Sequence, residues 1–151
     1  MKKIGAVENN YNVYQADNKK MVIRFETENY AISLQNFKWF EEMSFETTNY
    51  HATLVVNDIA VGVCHNEGRG GCSYYHLTNN NSKELLTNAI SEVVKTQCYC
   101  LPHRTNSFED VLDTLSCMCV SFYDVKTQKT AKHVIEILNA QADKYREMFV
   151  K

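Results

Sequence analysis

The chain has 151 residues, 44% of them hydrophobic and 23% charged, with a formal net charge of −2. That length suits one domain with one core, and that composition excludes a chain disordered throughout. The near-neutral charge supplies no overall field for nucleic acid or an anionic membrane, so a nucleic-acid partner draws no support from it.

Taken in chain order, the first half alternates as strands do. Met21, Ile23 and Phe25 alternate with Val22, Arg24 and Glu26, and Tyr30, Ile32 and Leu34 with Ala31, Ser33 and Gln35. Thr27-Glu28-Asn29 between them suits a turn, which predicts a hairpin. Residues 36–45 carry Phe37, Trp39, Phe40, Met43 and Phe45, an aromatic connector to which the pattern assigns no conformation. A second hairpin is clearer. Tyr50, Ala52, Leu54 and Val56 share one face, Asn57-Asp58 is good turn chemistry, and Ile59, Val61 and Val63 resume the alternation. Tyr74–Leu77 is a further short strand candidate.

The second half reads as helices. Asn81 with Glu84 has the spacing of a capping box, ahead of an apolar stripe of Leu85, Leu86, Ala89, Ile90, Val93 and Val94. A connector over 97–106 holds the single proline, Pro102. Ser107 then caps a helix whose stripe is Phe108, Val111, Leu112, Leu115, Met118, Cys119 and Phe122, with Asp110 at the capping-box position. Ala131, Val134, Ile135, Leu138, Ala142, Tyr145 and Phe149 outline a third helix. Strands first and helices later predict an α+β fold: antiparallel β-hairpins in the N-terminal half packed against two or three C-terminal helices, in a single domain over 1–151. The leftover aromatics Tyr11, Tyr14, Trp39 and Phe40 are candidates for an exposed patch.

The segment with the most functional content is Asn66-Glu67-Gly68-Arg69-Gly70-Gly71-Cys72-Ser73-Tyr74-Tyr75, which holds three of the chain's five glycines. Glycines cluster where the backbone needs φ > 0 or where something approaches it closely. Consecutive N–H groups here can converge into an anion nest, with Arg69 adding a bidentate contact and Tyr74 and Tyr75 stacking on a ligand. Asn66, Gly68, Arg69, Gly70, Gly71, Tyr74 and Tyr75 are therefore the candidate ligand-binding residues. The Lys-Ser/Thr of a P-loop is missing, and no helix follows at once as a dinucleotide fingerprint requires. A turn that only glycine can make stands as the alternative.

Cys72 with His65 or His76 is the one arrangement that suits nucleophilic catalysis. The absence of a G-x-S-x-G elbow or an H-E-x-x-H helix favours no enzyme. Cys98-Tyr99-Cys100 and Cys117-Met118-Cys119, with Cys64, Cys72, His65 and His76, invite a zinc reading, but Cys-x-Cys is off the usual structural spacing. On a helix, Cys117 and Cys119 would project about 200° apart. Core cysteine is the preferred reading, and no metal or cofactor is assigned. No apolar run reaches transmembrane length, and residues 1–10 lack the apolar stretch of a signal peptide. The expectation is a cytoplasmic protein without a membrane partner, its six cysteines reduced.

The stretch from His51 to Val63, followed by Asn66-Glu67-Gly68-Arg69-Gly70-Gly71, resembles one segment of a diffuse set of small uncharacterised bacteriophage and mobile-element proteins. Tyr50 takes the aromatic position of their pattern, and Asp58 replaces their turn glycine. The set has no established activity, so no catalytic residue carries over. The resemblance implies that the glycine loop is a shared feature, and it implies an accessory protein that binds a host factor. The resulting expectation is a small binding protein that engages an anionic small molecule, nucleotide-like or phosphate-bearing, or a host protein, through the Gly68–Tyr75 loop. The alternatives are a small hydrolase or transferase built on Cys72 with His65 or His76, and a zinc-stabilised interaction module.

Overall fold

A computed structural model of the protein describes residues 1–78, 82–96, 99–100, 103–104 and 107–149, with the backbone alone at 99, 100, 103, 104 and 149. Seven strands form one antiparallel sheet in strict chain order: β1 (Lys2–Val7), β2 (Tyr11–Gln15), β3 (Met21–Glu26), β4 (Ala31–Trp39), β5 (Tyr50–Val56), β6 (Ile59–Asn66) and β7 (Tyr74–Leu77). Three helices follow, α1 (Lys83–Val93), α2 (Phe108–Ser121) and α3 (Gln128–Phe149), with a small β8 (Tyr99–Cys100) and β9 (His103–Arg104) pair between the first two. The α+β class is thus as expected. Helix α1 lies against β5, α2 against β3 and β4, and α3 against β1. The helices therefore run back across the sheet in the reverse of strand order.

Their shared face is the core. Tyr11, Val13, Ile23, Phe25, Ile32, Leu34, Leu54 and Val56 from the sheet are buried against Val111, Leu112, Leu115 and Met118 of α2 and Ala131 and Ile135 of α3. Two strands, β1 and β2, precede the first expected hairpin. Tyr11 consequently belongs to the core rather than to an exposed patch: it is fully buried, edge-on to Phe25 at 4.9 Å. Tyr14 and Trp39 are half-buried, and of the four aromatics only Phe40 is strongly exposed.

The aromatic connector is partly strand. Strand β4 continues to Trp39 through a bulge between Gln35 and Lys38, where Asn36 takes φ +52°. A 3-10 turn at Glu41–Met43 then leads into a loop up to Asn49. The Asn57-Asp58 turn forms as expected, with both residues at positive φ, the pattern that suits a tight hairpin. The alternation of Ile59, Val61 and Val63 does not persist, because β6 carries a bulge where Leu54 pairs with Gly62 but Val55 with Ala60. One extra residue reverses the faces. Ile59 is 51% exposed, and beyond the bulge Cys64 and Asn66, not Val63, are buried.

Ser107 caps α2 as predicted, accepting a hydrogen bond from the Asp110 N–H at 3.2 Å. The expected cap Asn81 lies outside the described residues, as do Pro102 and Cys98 and the side chains of Cys100, His103 and Phe149. No described helix is long and apolar enough to cross a membrane.

Candidate functional site

The loop that follows β6 has an internal logic set by Asn66. Its side chain is buried and used at both ends: Oδ1 accepts from the Gly68 N–H and the Thr47 hydroxyl, each at 2.8 Å, and Nδ2 donates to the Gly71 carbonyl at 3.0 Å. Asn66 is thus the hub of the loop and has no free polar atom to offer a ligand. Gly68 and Gly70 take φ of +81° and +92°, the left-handed region that glycine enters without steric cost. At Gly68 a Cβ would also stand 2.4 Å from the Met43 carbonyl oxygen, so close approach adds a second requirement.

A nest of converging N–H groups exists, but on the other loop. The N–H groups of Phe45, Glu46 and Thr47 all point at the Gly68 carbonyl oxygen, at 3.0, 2.9 and 3.4 Å. The glycine loop supplies the acceptor, and the nest is filled from within. Gly70 N–H is likewise taken by the Thr47 hydroxyl at 3.3 Å, and Asn49 Nδ2 reaches the Glu67 carbonyl at 2.9 Å. Each such bond contributes about 1 kcal/mol net, so together they hold the two loops as one rigid unit.

Beyond the loop, Ser73 ties it to the helical layer. Its N–H and hydroxyl both donate to Asp113 Oδ1 on α2, at 3.0 and 2.5 Å. The buried Tyr50 hydroxyl donates to Ser73 Oγ at 2.8 Å. Burial holds the Tyr50 phenol far above its ordinary titration range, so it acts as a permanent donor. Asp113, Thr47 and Asn49 are the residues that sequence reasoning missed. Nothing in their local pattern marks them, because their partners lie 18 to 40 residues away.

The two tyrosines separate as strand neighbours must. Tyr75 turns inward and meets Phe108 edge-on at 5.2 Å, while Tyr74 stays 52% exposed on the outer face. There Tyr74 joins a row of imidazoles. His65 stacks between His51 at 6.2 Å and His76 at 5.5 Å, with planes within 18°, and Tyr74 lies 5.7 Å from His65. Nearly parallel rings face one another, and among the described residues no three His, Cys, Asp or Glu side chains are grouped to hold a metal ion. Cys72 is an exposed free thiol, and among the described residues it makes no hydrogen bond to His65 or His76. The other described thiols are poor nucleophiles, since burial pushes Cys64 and Cys119 up to about 12 and raises Cys117 as well.

A shallow hollow of about 480 Å³ opens where the two loops meet the sheet, with Phe40, Met43, His51, His65, Glu67 and Arg69 among its lining. Phe40, Met43 and Phe45 are 47%, 46% and 66% exposed on the clamped loop. Around them Glu41, Glu42, Glu46 and Glu67 are exposed, together with the cations Arg69 and Lys38, the latter paired with His51 across β4–β5. The site therefore gathers apolar anchors inside an acidic surround. Comparison with protein-family models, with curated proteins and with solved structures returned no match to this chain.

Proposed function

We propose that the chain is a binding protein whose partner is another protein, engaged by the two clamped loops and the outer face of β5–β7. The carrying observation is the exposure of Phe40, Met43 and Phe45 on a loop whose backbone is locked to the Gly68 carbonyl. A backbone already locked has less entropy to lose on docking, and aromatic and Met side chains form interface centres. The four glutamates and the inward use of the Gly68 and Gly70 N–H groups favour a protein segment with apolar anchors and basic flanks over a phosphate-bearing ligand. The sequence resemblance of residues 50–75 adds an accessory role in a phage or mobile element, with a host protein as the partner.

The test is capture of a partner from a bacterial host lysate, followed by affinity measurement with the purified pair. Phe45→Ser and Met43→Ser are expected to weaken binding by about 2 kcal/mol or more each, with unchanged melting temperature. Ile59→Ser, equally exposed at the distant β5–β6 turn, keeps full affinity. Raising salt weakens the complex through the glutamates. A partner that tolerates both loop variants overturns the assignment of this surface.

A further inference from the structure

We propose that the cleft between β3–β4 and the C-terminal end of α2 binds a small amphipathic anion, an acyl or aryl carboxylate. Its apolar body would rest on Met21, Phe37 and Tyr123, and its charge would face Lys20 and Lys126. The cleft measures about 590 Å³, within the range of small-molecule sites. Met21 and Phe37, half-buried, and Tyr123, 50% exposed, present the apolar surface of the cleft above the buried Ile23, Leu34 and Phe122.

Specific backbone features hold this space open. The β4 bulge, with Asn36 at φ +52°, breaks the strand's alternation where Gln35, Asn36 and Phe37 border the cleft. Lys19 at φ +70° shapes the adjoining turn, which the Ala16 N–H closes on the Lys20 carbonyl at 2.9 Å. On the far side the Lys126 carbonyl is pinned by Gln15 Nε2 at 2.8 Å. The mouth is thus set before any ligand arrives.

The charge at the mouth selects an anion. Lys20 and Lys126 make no ion pair among the described residues, and Asp124 is the one carboxylate lining the cleft. At this end of α2 the carbonyls of Met118, Val120 and the cap residue Phe122 accept N–H groups from Phe122, Tyr123 and Val125. The Cys119 thiol in the wall stays neutral, which suits an apolar lining. None of these groups belongs to the clamped loops, so this inference is independent of the partner-binding surface.

The experiment titrates decanoate and, separately, decyltrimethylammonium into the full chain below their aggregation thresholds, followed by amide NMR shifts. Saturable 1:1 binding of decanoate is expected, with shifts centred on Met21, Phe37 and Cys119, and the ammonium probe about tenfold weaker or worse. The double variant Lys20→Glu, Lys126→Glu should lose about tenfold in decanoate affinity while keeping its melting temperature. If that variant fails to fold, Lys20→Gln with Lys126→Gln carries the same expectation. Absence of saturable decanoate binding, equal affinity for the two probes, shifts centred on Phe40–Phe45, or lysine variants with undiminished affinity would each overturn the proposal.

Discussion

Among single residues, Gly68 and Asn66 decide the shape of the candidate interface. Gly68 combines positive φ with a backbone oxygen 2.4 Å from where a Cβ would sit, and that oxygen cannot move aside as a flexible side chain would. Gly68→Ala is therefore expected to destabilise the fold by about 2 kcal/mol or more, from left-handed strain plus overpacking. Gly71→Ala is the matched control. Its Cβ would meet only the Tyr74 hydroxyl at 3.9 Å, so its effect should stay within about 0.5 kcal/mol. Calorimetric melting of the two variants measures the contrast, and equal effects would contradict the clamped geometry. The demand for glycine at Gly68 and Gly70 was readable in the sequence. The direction of the N–H groups was not, because it depends on Phe45–Thr47, about twenty residues upstream. The converging N–H groups lie on 45–47 and cup the Gly68 carbonyl, while the Gly68 and Gly70 N–H groups go to Asn66 and Thr47.

At the level of elements, the joint between the loop and α2 rests on Asp113. It accepts both donors of the buried Ser73, and Ser73 in turn receives the Tyr50 hydroxyl. Asp113→Ala leaves a buried N–H and a hydroxyl without that acceptor, at an expected cost of about 2–3 kcal/mol in urea unfolding. Faster amide exchange over 68–73 should accompany it, whereas Asp113→Asn, which keeps an acceptor oxygen, should retain most of the protection. Elements with local signals were legible: the β5–β6 hairpin from its Asn57-Asp58 turn, and α2 from Ser107 and its apolar stripe. Strands β1 and β2 were not. Their inward side chains, such as Tyr11 and Val13, are too few for a clear period, and what buries that edge of the sheet is α3, more than a hundred residues later. The β6 bulge was hidden as well, since an extra residue in a strand leaves the apolar composition unchanged.

Across the whole molecule, α3 closes the fold on β1. Asn139 Oδ1 accepts the Glu8 N–H at 2.8 Å and its Nδ2 donates to the Ala6 carbonyl at 3.0 Å, so one side chain continues the edge strand's hydrogen bonding. Arg146 grips both oxygens of the nearly buried Glu8 carboxylate at 2.5 Å. Gly5 lets the helix come close, since a Cβ there would stand 3.1 Å from Ile135 Cδ1. Asn139→Ala should cost about 1–2 kcal/mol and raise amide exchange at Glu8, read by hydrogen-exchange mass spectrometry; protection unchanged at Glu8 would refute the assigned role. The strict strand order has a consequence during synthesis. Every sheet pairing joins neighbours in the chain, so the meander can assemble as it leaves the ribosome, while its helical cover does not yet exist. The stretch from Leu77 to Phe149 takes on the order of ten seconds to translate. For that interval the nascent sheet presents Tyr11, Phe25, Ile32 and Leu54 to solvent, and the first strand made is the last to be secured.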